Sequence, residues 1–204
     1  MTDTNKSKLI LDALQQLMIE KDIQHISVSE IASKAGIGKG SIYYYFPSKD
    51  AILDALIRRS YEQPLQIAKK LTTQTNVSSF TRMAMLFQAC RSSSAIFFNN
   101  DRTSNESAQN LALLHQKHLR YLISELKPAL TEIISQGIAC DEIHFKYPDA
   151  LAEISLIVLA VKLDNSIVPS SPKETEQTLK GLIDLLEKGT DIPSGTLGYL
   201  SIWQ

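Results

Sequence analysis

Cysteine is scarce in this chain, with two among 204 residues. Cys90 and Cys140 lie far apart and lack the short spacing that metal-binding cysteines show. We therefore expect both to be small buried hydrophobic residues in a reducing compartment. This scarcity excludes a disulfide-rich secreted domain.

Long apolar runs are also missing. The most apolar stretch, residues 151–163, contains Glu153, Ser155 and Lys162 and is too short to span a bilayer. The first residues, MTDTNKSK, lack the apolar segment that follows the lysines of a secretory signal. The formal net charge of −1 excludes a polycation. We expect a cytoplasmic protein that does not contact membranes.

Catalytic motifs are absent as well. The sequence contains no Walker loop, no GxSxG and no HExxH. His115 and His118 would share one helical face, but no third ligand accompanies them, so solvated or hydrogen-bonded histidines are the commoner case. We expect no catalytic residue, no metal and no cofactor.

Helical periodicity, in contrast, runs through nearly the whole chain and predicts an all-α protein. The predicted helices cover approximately residues 6–21, 28–35, 39–45, 48–70, 80–91, 108–115, 117–137, 148–162 and 172–189. Pro64 is expected to bend or shorten the 48–70 helix, and Pro128 to kink the 117–137 helix. The 148–162 helix is apolar on nearly every side and is expected to be buried all round.

The most informative segment lies between residues 27 and 50. Ser27 and Glu30 form a predicted capping box, and Gly36 stands where a chain leaving a helix often needs a positive φ. The short helix 39–45 that follows is basic, rich in hydroxyl groups and aromatic, and Pro47 ends it. Its three consecutive tyrosines point about 100° apart, so they cannot all be core. The pattern predicts a helix-turn-helix whose second helix enters the major groove.

These residues resemble a known family. The segment VSEIASKAGIGKGSIYYYFPSK, from Val28 to Lys49, followed by Ile52 and Leu53, is similar to the DNA-binding head of tetracycline-repressor (TetR) regulators. The resemblance covers about the first quarter of the chain. Gly38 departs from it, because a serine or threonine commonly caps the recognition helix there.

The resemblance implies an N-terminal three-helix head with a helix-turn-helix in residues 1–50. A helical effector-binding and dimerisation domain then occupies residues 51–204, beginning with a connecting helix at about 48–70. The implied protein is a homodimeric repressor, paired through its last two long helices. It binds a pseudo-palindromic double-stranded operator and is released by a small apolar or aromatic effector. An activator, or a ligand- or partner-binding protein that has lost operator binding, remains an alternative. An enzyme with a helix-turn-helix appendage is a further alternative, against which the absence of any acid/base or nucleophile cluster argues.

The recognition helix supplies most of the implied DNA contacts. Lys39 is expected to reach a guanine edge or a phosphate, and Gly40 to let the backbone approach DNA closely. Ser41 and Tyr44 are expected to hydrogen-bond phosphate or base. Tyr43 is expected to pack on a thymine methyl group.

Ser27, Tyr45 and Lys49 complete the implied DNA contacts as phosphate anchors. The predicted effector site is a largely apolar pocket within residues 80–165. Its candidate residues are Met83, Phe87, Arg91, His118 and Tyr121.

Overall fold

The computed structural model describes residues 3–94, 108–164 and 170–198, with side chains described for residues 5–90, 116–158 and 170–198. All regular structure within these ranges is helical, which confirms the all-α prediction. The chain forms two compact units. Among the described residues, the first unit contains 3–60 and 108–118, and the second contains 61–94, 119–164 and 170–198.

The helices are named in chain order. They are α1 (Asp3–Glu20), α2 (Val28–Ala35), α3 (Lys39–Tyr45), α4 (Lys49–Ser60), α5 (Glu62–Thr73), α6 (Ser79–Ser94), α7 (Ala108–Ala139), α8 (Pro148–Asp164) and α9 (Pro172–Gly189). A single turn of 3-10 helix, Ile23–His25, connects α1 to α2.

The first unit is built around α1, which packs against α2 and α4. Apolar residues at helical spacing give each helix one buried face. The side chains with no exposed surface at the centre of this core are Ile10, Leu14, Ile31, Ile42 and Ile52. At the edge of the core, the Arg59 guanidinium of α4 donates to the Asp12 carboxylate at 2.6 Å and to the Gln15 side-chain oxygen at 2.7 Å.

The N-terminal part of α7 belongs to this first unit, where Lys117 joins it to α4. The Lys117 ammonium donates to the carboxylates of Asp50 at 3.1 Å and Asp54 at 2.8 Å. Desolvation lowers the pKa of Lys117, but hydrogen bonds and charge from Asp54 and Asp50 outweigh it, so the pKa lies above its ordinary value. The lysine therefore stays charged, and α4 is tied to α7 by one cation between two carboxylates.

In the second unit, a buried arginine joins the ends of three helices. Arg82 of α6 is 3% exposed and donates to the Leu71 carbonyl in the last turn of α5, to the Gln136 side-chain oxygen of α7 and to the Ser79 hydroxyl. The same junction is tightly packed, because a Cβ added at Gly137 would lie 2.6 Å from the Ser79 oxygen and 2.8 Å from Ile143 Cδ1. This junction fixes the N-terminus of α6 on the C-terminal part of α7.

Two predicted helix boundaries were wrong. The 48–70 helix is two helices, because α4 ends at Ser60 and α5 begins at Glu62. Pro64 explains the break, since a continuous helix would set its ring against the Ser60 carbonyl. The 108–115 and 117–137 helices are one, because no glycine or proline lies between them. Pro128 lies inside α7, where it lacks an N–H for the carbonyl of Ser124.

Two burial expectations also need correction. Cys90 is buried, and burial raises the pKa of its thiol to about 12, but Cys140 is exposed because it follows the end of α7. The apolar helix α8 is not buried all round within the chain, since Ile154 and Ile157 are 50% and 41% exposed. Within the described ranges, no helix combines the length and hydropathy needed to cross a membrane.

Candidate nucleic-acid interface

The helix-turn-helix begins at a capping box, as the sequence predicted. The Ser27 hydroxyl accepts from the Glu30 backbone N–H at 3.2 Å, and the Glu30 carboxylate accepts from the Ser27 backbone N–H at 2.8 Å. The same carboxylate pairs with the Lys21 ammonium. The Lys21 hydrogen bond, followed by the Ser27 backbone bond, lowers the Glu30 pKa from its ordinary 4.5 to about 2. The carboxylate thus stabilises the fold at neutral pH, and this contribution is lost as the pH falls from 4.5 towards 2.

Gly36 turns the chain from α2 into α3. It adopts φ 67° and ψ 31°, a left-handed conformation that glycine enters without a steric penalty. Its N–H donates back to the end of α2, and the Ile37 N–H donates to the Ala32 carbonyl at 3.0 Å. The turn thereby satisfies carbonyls that the helix end would otherwise leave open.

Helix α3 has one buried residue and one continuous exposed face. Ile42 has no exposed surface and anchors the helix in the core of the first unit. Lys39 and Gly40 are exposed, and Tyr43 and Tyr44 are 49% and 76% exposed. At 3.6 residues per turn, these four residues lie within about 140° of one another around the helix axis. We call them the α3 face.

The α3 face combines a cation, two phenols and an open stretch of backbone. Lys39 forms no hydrogen bond or ion pair with the described residues, so its ammonium is available to an outside partner. A Cβ added at Gly40 would meet nothing within 4 Å, and its φ is not positive. Neither packing nor backbone conformation therefore requires glycine at this position.

Two of the remaining predicted contacts on α3 lie away from this face. Ser41 and Tyr45 are half-buried and fall on the side of the helix that carries Ile42. The Tyr45 ring stacks edge-on against Tyr44, with ring centroids 5.0 Å apart. Tyr45 thus packs against the Tyr44 ring of the α3 face.

Ser27 and Lys49 are held by the head itself. The Ser27 hydroxyl belongs to the capping box and also donates to Glu30 at 2.8 Å. The Lys49 ammonium donates to the backbone carbonyls of Ile23 at 2.9 Å and Ile26 at 3.0 Å. These contacts exist without DNA, so neither side chain is simply a free phosphate ligand.

The start of α3 is less supported than the start of α2. Gly38 is its N-cap residue and supplies no side-chain cap. The Ser41 N–H donates to the Gly38 carbonyl at 2.9 Å, which closes the first turn through the backbone alone. A Cβ at Gly38 would also meet nothing within 4 Å. The start of α3 therefore has no side-chain cap and leaves room for an added side chain at Gly38.

The predicted effector residues are distributed over both units. Met83 and Phe87 of α6 are each 4% exposed and lie in the second unit with Tyr121. The Tyr121 ring packs on the buried ring of Tyr61, with centroids 5.7 Å apart. His118 is 3% exposed and belongs to the first unit. The Arg91 side chain lies outside the described part of the chain.

Comparison with known proteins agrees with this geometry. Residues 10–56, which contain α2, α3 and most of α4, match the family described as bacterial regulatory proteins, tetR family. The DNA-binding segment of the chain is thus similar to that of tetR-family regulators. The YuxN protein of Bacillus subtilis, an HTH-type transcriptional regulator, is 40% identical over 58 residues, which make up 28% of this chain and 20% of YuxN. The similarity to this relative is thus limited to about a fifth of its length.

Solved structures resemble this chain over nearly its whole length. The structure of RolR in complex with resorcinol covers 97% of this chain and 94% of its own, with a TM-score of 0.61 and 16% identity. FadR from Bacillus subtilis, in complex with stearoyl-CoA, covers 89% of this chain and 98% of its own, with a TM-score of 0.61 and 19% identity. At these identities the likeness establishes the helical fold.

Sequence reasoning missed two charged residues that join helices within the two units. Arg82 was overlooked although it lies four residues before the buried Leu86 and so shares its inward face. Lys117 was overlooked because its partners are 67 and 63 residues away in sequence. Only the spacing of Arg82 gave a local signal.

Proposed function

We propose that this chain is a DNA-binding transcriptional regulator of the tetR family rather than an enzyme, and that it acts as a repressor. The α3 face enters the major groove of a pseudo-palindromic operator, and two copies of the chain read two half-sites. The observation that carries the proposal is the α3 face itself. It exposes a free lysine and two tyrosines on a short helix that a buried isoleucine fixes to the core.

The chemistry of the α3 face suits DNA. A lysine can bind a guanine edge or a phosphate, and a tyrosine ring can pack on a thymine methyl group. The rings of Tyr43 and Tyr44 are 49% and 76% exposed on one turn of α3. A DNA groove would cover them. Ser41 and Tyr45 lie on the other side of α3 and Ser27 caps α2, and we propose that these three residues contact the phosphate backbone rather than the bases.

Lys39→Ala and Tyr43→Ala test the orientation of α3. Lys39→Ala should weaken binding to all DNA and lower the slope of log affinity against log salt by about one unit per subunit. Tyr43→Ala should change the preferred half-site and leave that slope unchanged, because it removes no charge. Selection from random DNA with purified protein, followed by salt titration on the selected duplex, measures both effects. Parent-like binding by both variants would show that another surface reads the DNA.

We further propose that α8 and α9 pair two copies of the chain. Ile154 and Ile157, three residues apart on α8, are 50% and 41% exposed, and Leu185 of α9 is 66% exposed. Side chains three apart share a helical face, so the two isoleucines form one patch. Exposed apolar patches of this kind mark protein–protein contacts.

Ile154→Glu combined with Leu185→Glu should convert the dimer to a monomer at micromolar concentration. The reason is that each buried carboxylate would lose its hydration without gaining a partner. Sedimentation equilibrium measures the change. Ile19→Glu is the matched control, because Ile19 is a 73% exposed isoleucine of α1 outside the proposed contact. A parent chain that sediments as a monomer would contradict the pairing.

The effector is proposed to be a small apolar or aromatic molecule held in the second unit. Met83, Phe87 and Tyr121 offer apolar surface there, and the fold neighbours RolR and FadR were solved with resorcinol and stearoyl-CoA. Arg91 stays a candidate polar contact of this site, whereas His118 belongs to the first unit and is not part of the proposal. A coupling of about 1–3 kcal/mol would raise the melting temperature and weaken operator binding together. Thermal-shift screening followed by gel shift tests this, and stabilisation without release would refute the coupling.

A further inference from the structure

Lys49 is the first residue of α4, and its ammonium points back to the turn that precedes α2. It lies 2.9 Å from the Ile23 carbonyl, 3.0 Å from the Ile26 carbonyl and 3.5 Å from the Gln24 carbonyl. A lysine ammonium has three N–H donors, so the three carbonyls match its full capacity. The three carbonyls belong to the 3-10 turn and its C-cap residue.

These contacts close a loop around the helix-turn-helix. Ile26 directly precedes Ser27, the N-cap of α2, and Lys49 directly follows the short segment after α3. The two ends of the segment that contains α2 and α3 therefore meet at one ammonium group. The end of α2 is held separately from α1, since the Lys34 ammonium donates to the Glu20 carboxylate at 2.9 Å.

We infer that Lys49 is a positioning residue for DNA binding rather than a phosphate anchor. The inference rests on the proposed function. The Lys49 ammonium holds the start of α2 against the start of α4. Helix α3 lies between these two points in the sequence. With the ammonium in place, the α3 face has one orientation relative to the core of the first unit. Without it, the 3-10 turn loses its bonds to α4, and α3 samples orientations that fit the groove less well.

The experiment compares Lys49→Met, Lys49→Arg and the parent, with Lys39→Ala as the reference for a solvent-exposed cation. Each protein is titrated over a range of KCl with a duplex selected from random DNA by the parent and with a scrambled duplex of equal length. The temperature is one at which circular dichroism shows every variant folded.

Lys49→Met should lose about tenfold or more in affinity for the selected duplex and less than about twofold for the scrambled one, with an unchanged salt slope. Lys49→Arg should recover most of the loss, because a guanidinium also donates to several carbonyls. Lys39→Ala should lower the slope for both duplexes.

Two results would overturn the inference. Equal losses on both duplexes with a lowered slope would make Lys49 a phosphate anchor. Parent-like affinity of Lys49→Met would make the carbonyl contacts purely structural. A parent that binds no duplex would refute the proposed function instead. In that case amide hydrogen exchange tests whether Lys49 positions the helix-turn-helix. Faster exchange in residues 23–31 of Lys49→Met would support the positioning role. Unchanged exchange would overturn it.

Discussion

Gly40→Ala is expected to weaken operator binding by about tenfold or more while it stabilises the free protein. Alanine in a helix interior is more stable than glycine by about 0.5–1 kcal/mol. Among the described residues, no atom lies within 4 Å of a Cβ added at Gly40, so packing does not oppose this gain in stability. The added methyl group would instead occupy the space between α3 and DNA. A tenfold loss corresponds to about 1.4 kcal/mol of binding free energy.

Urea unfolding and gel shift on the same preparations measure these opposite effects. Gly38→Ser is the matched variant, since it adds the side-chain cap that α3 lacks. It should stabilise the head by a few tenths of a kcal/mol, by about the amount that separates glycine from serine as an N-cap, and preserve operator binding. Gly36→Ala should destabilise the head, because alanine is strained at φ 67°. Operator affinity that survives Gly40→Ala would place the DNA backbone elsewhere.

Arg82→Met is expected to destabilise the second unit by about 3 kcal/mol. Methionine retains much of the apolar volume but leaves the Gln136 side-chain oxygen, the Ser79 hydroxyl and the Leu71 carbonyl without the donor they now share. No carboxylate among the described residues pairs with the guanidinium, so these neutral acceptors alone compensate its burial. The substitution also removes the desolvation cost of the buried guanidinium, which offsets part of the lost stability.

Equilibrium urea unfolding at fixed protein concentration measures the change, because the stability of the proposed dimer would depend on concentration. Arg120→Met is the control, since Arg120 is an exposed arginine of α7 and should change stability by less than about 0.5 kcal/mol. The Arg82→Met, Gln136→Met pair should be clearly less than additive, because both residues belong to one network. If Arg82→Met lowers the free energy of unfolding no more than Arg120→Met does, the desolvation cost of the buried guanidinium cancels the stability that its hydrogen bonds contribute.

Local signals were read well from the sequence. The capping box at Ser27 and Glu30, the turn at Gly36 and the bounds of α3 all depend on residues within a few positions of one another. The break after Ser60 was only partly foreseen. Pro64 was expected to bend or shorten a helix, whereas the chain ends α4 four residues earlier, at the carbonyl that the proline ring would meet.

Contacts between distant segments could not be read in the same way. The sequence placed Lys49 beside a helix start and favoured phosphate, but its carbonyl partners lie 26 and 23 residues earlier. Arg82 bonds to residues on both α5 and α7. Periodicity identifies the face on which a residue lies, but the partner on the neighbouring helix depends on how the helices pack.

The pairing of Lys117 with Asp50 and Asp54 has a consequence for the exchange of the head with that of another protein. A head exchanged between relatives by cutting the chain after Ser60 would carry both aspartates but leave the lysine behind. The recombinant would place two uncompensated carboxylates, four residues apart, against a foreign α7. The first unit of this chain therefore does not coincide with one contiguous stretch of its sequence. A productive graft must also carry a cation at the position of Lys117.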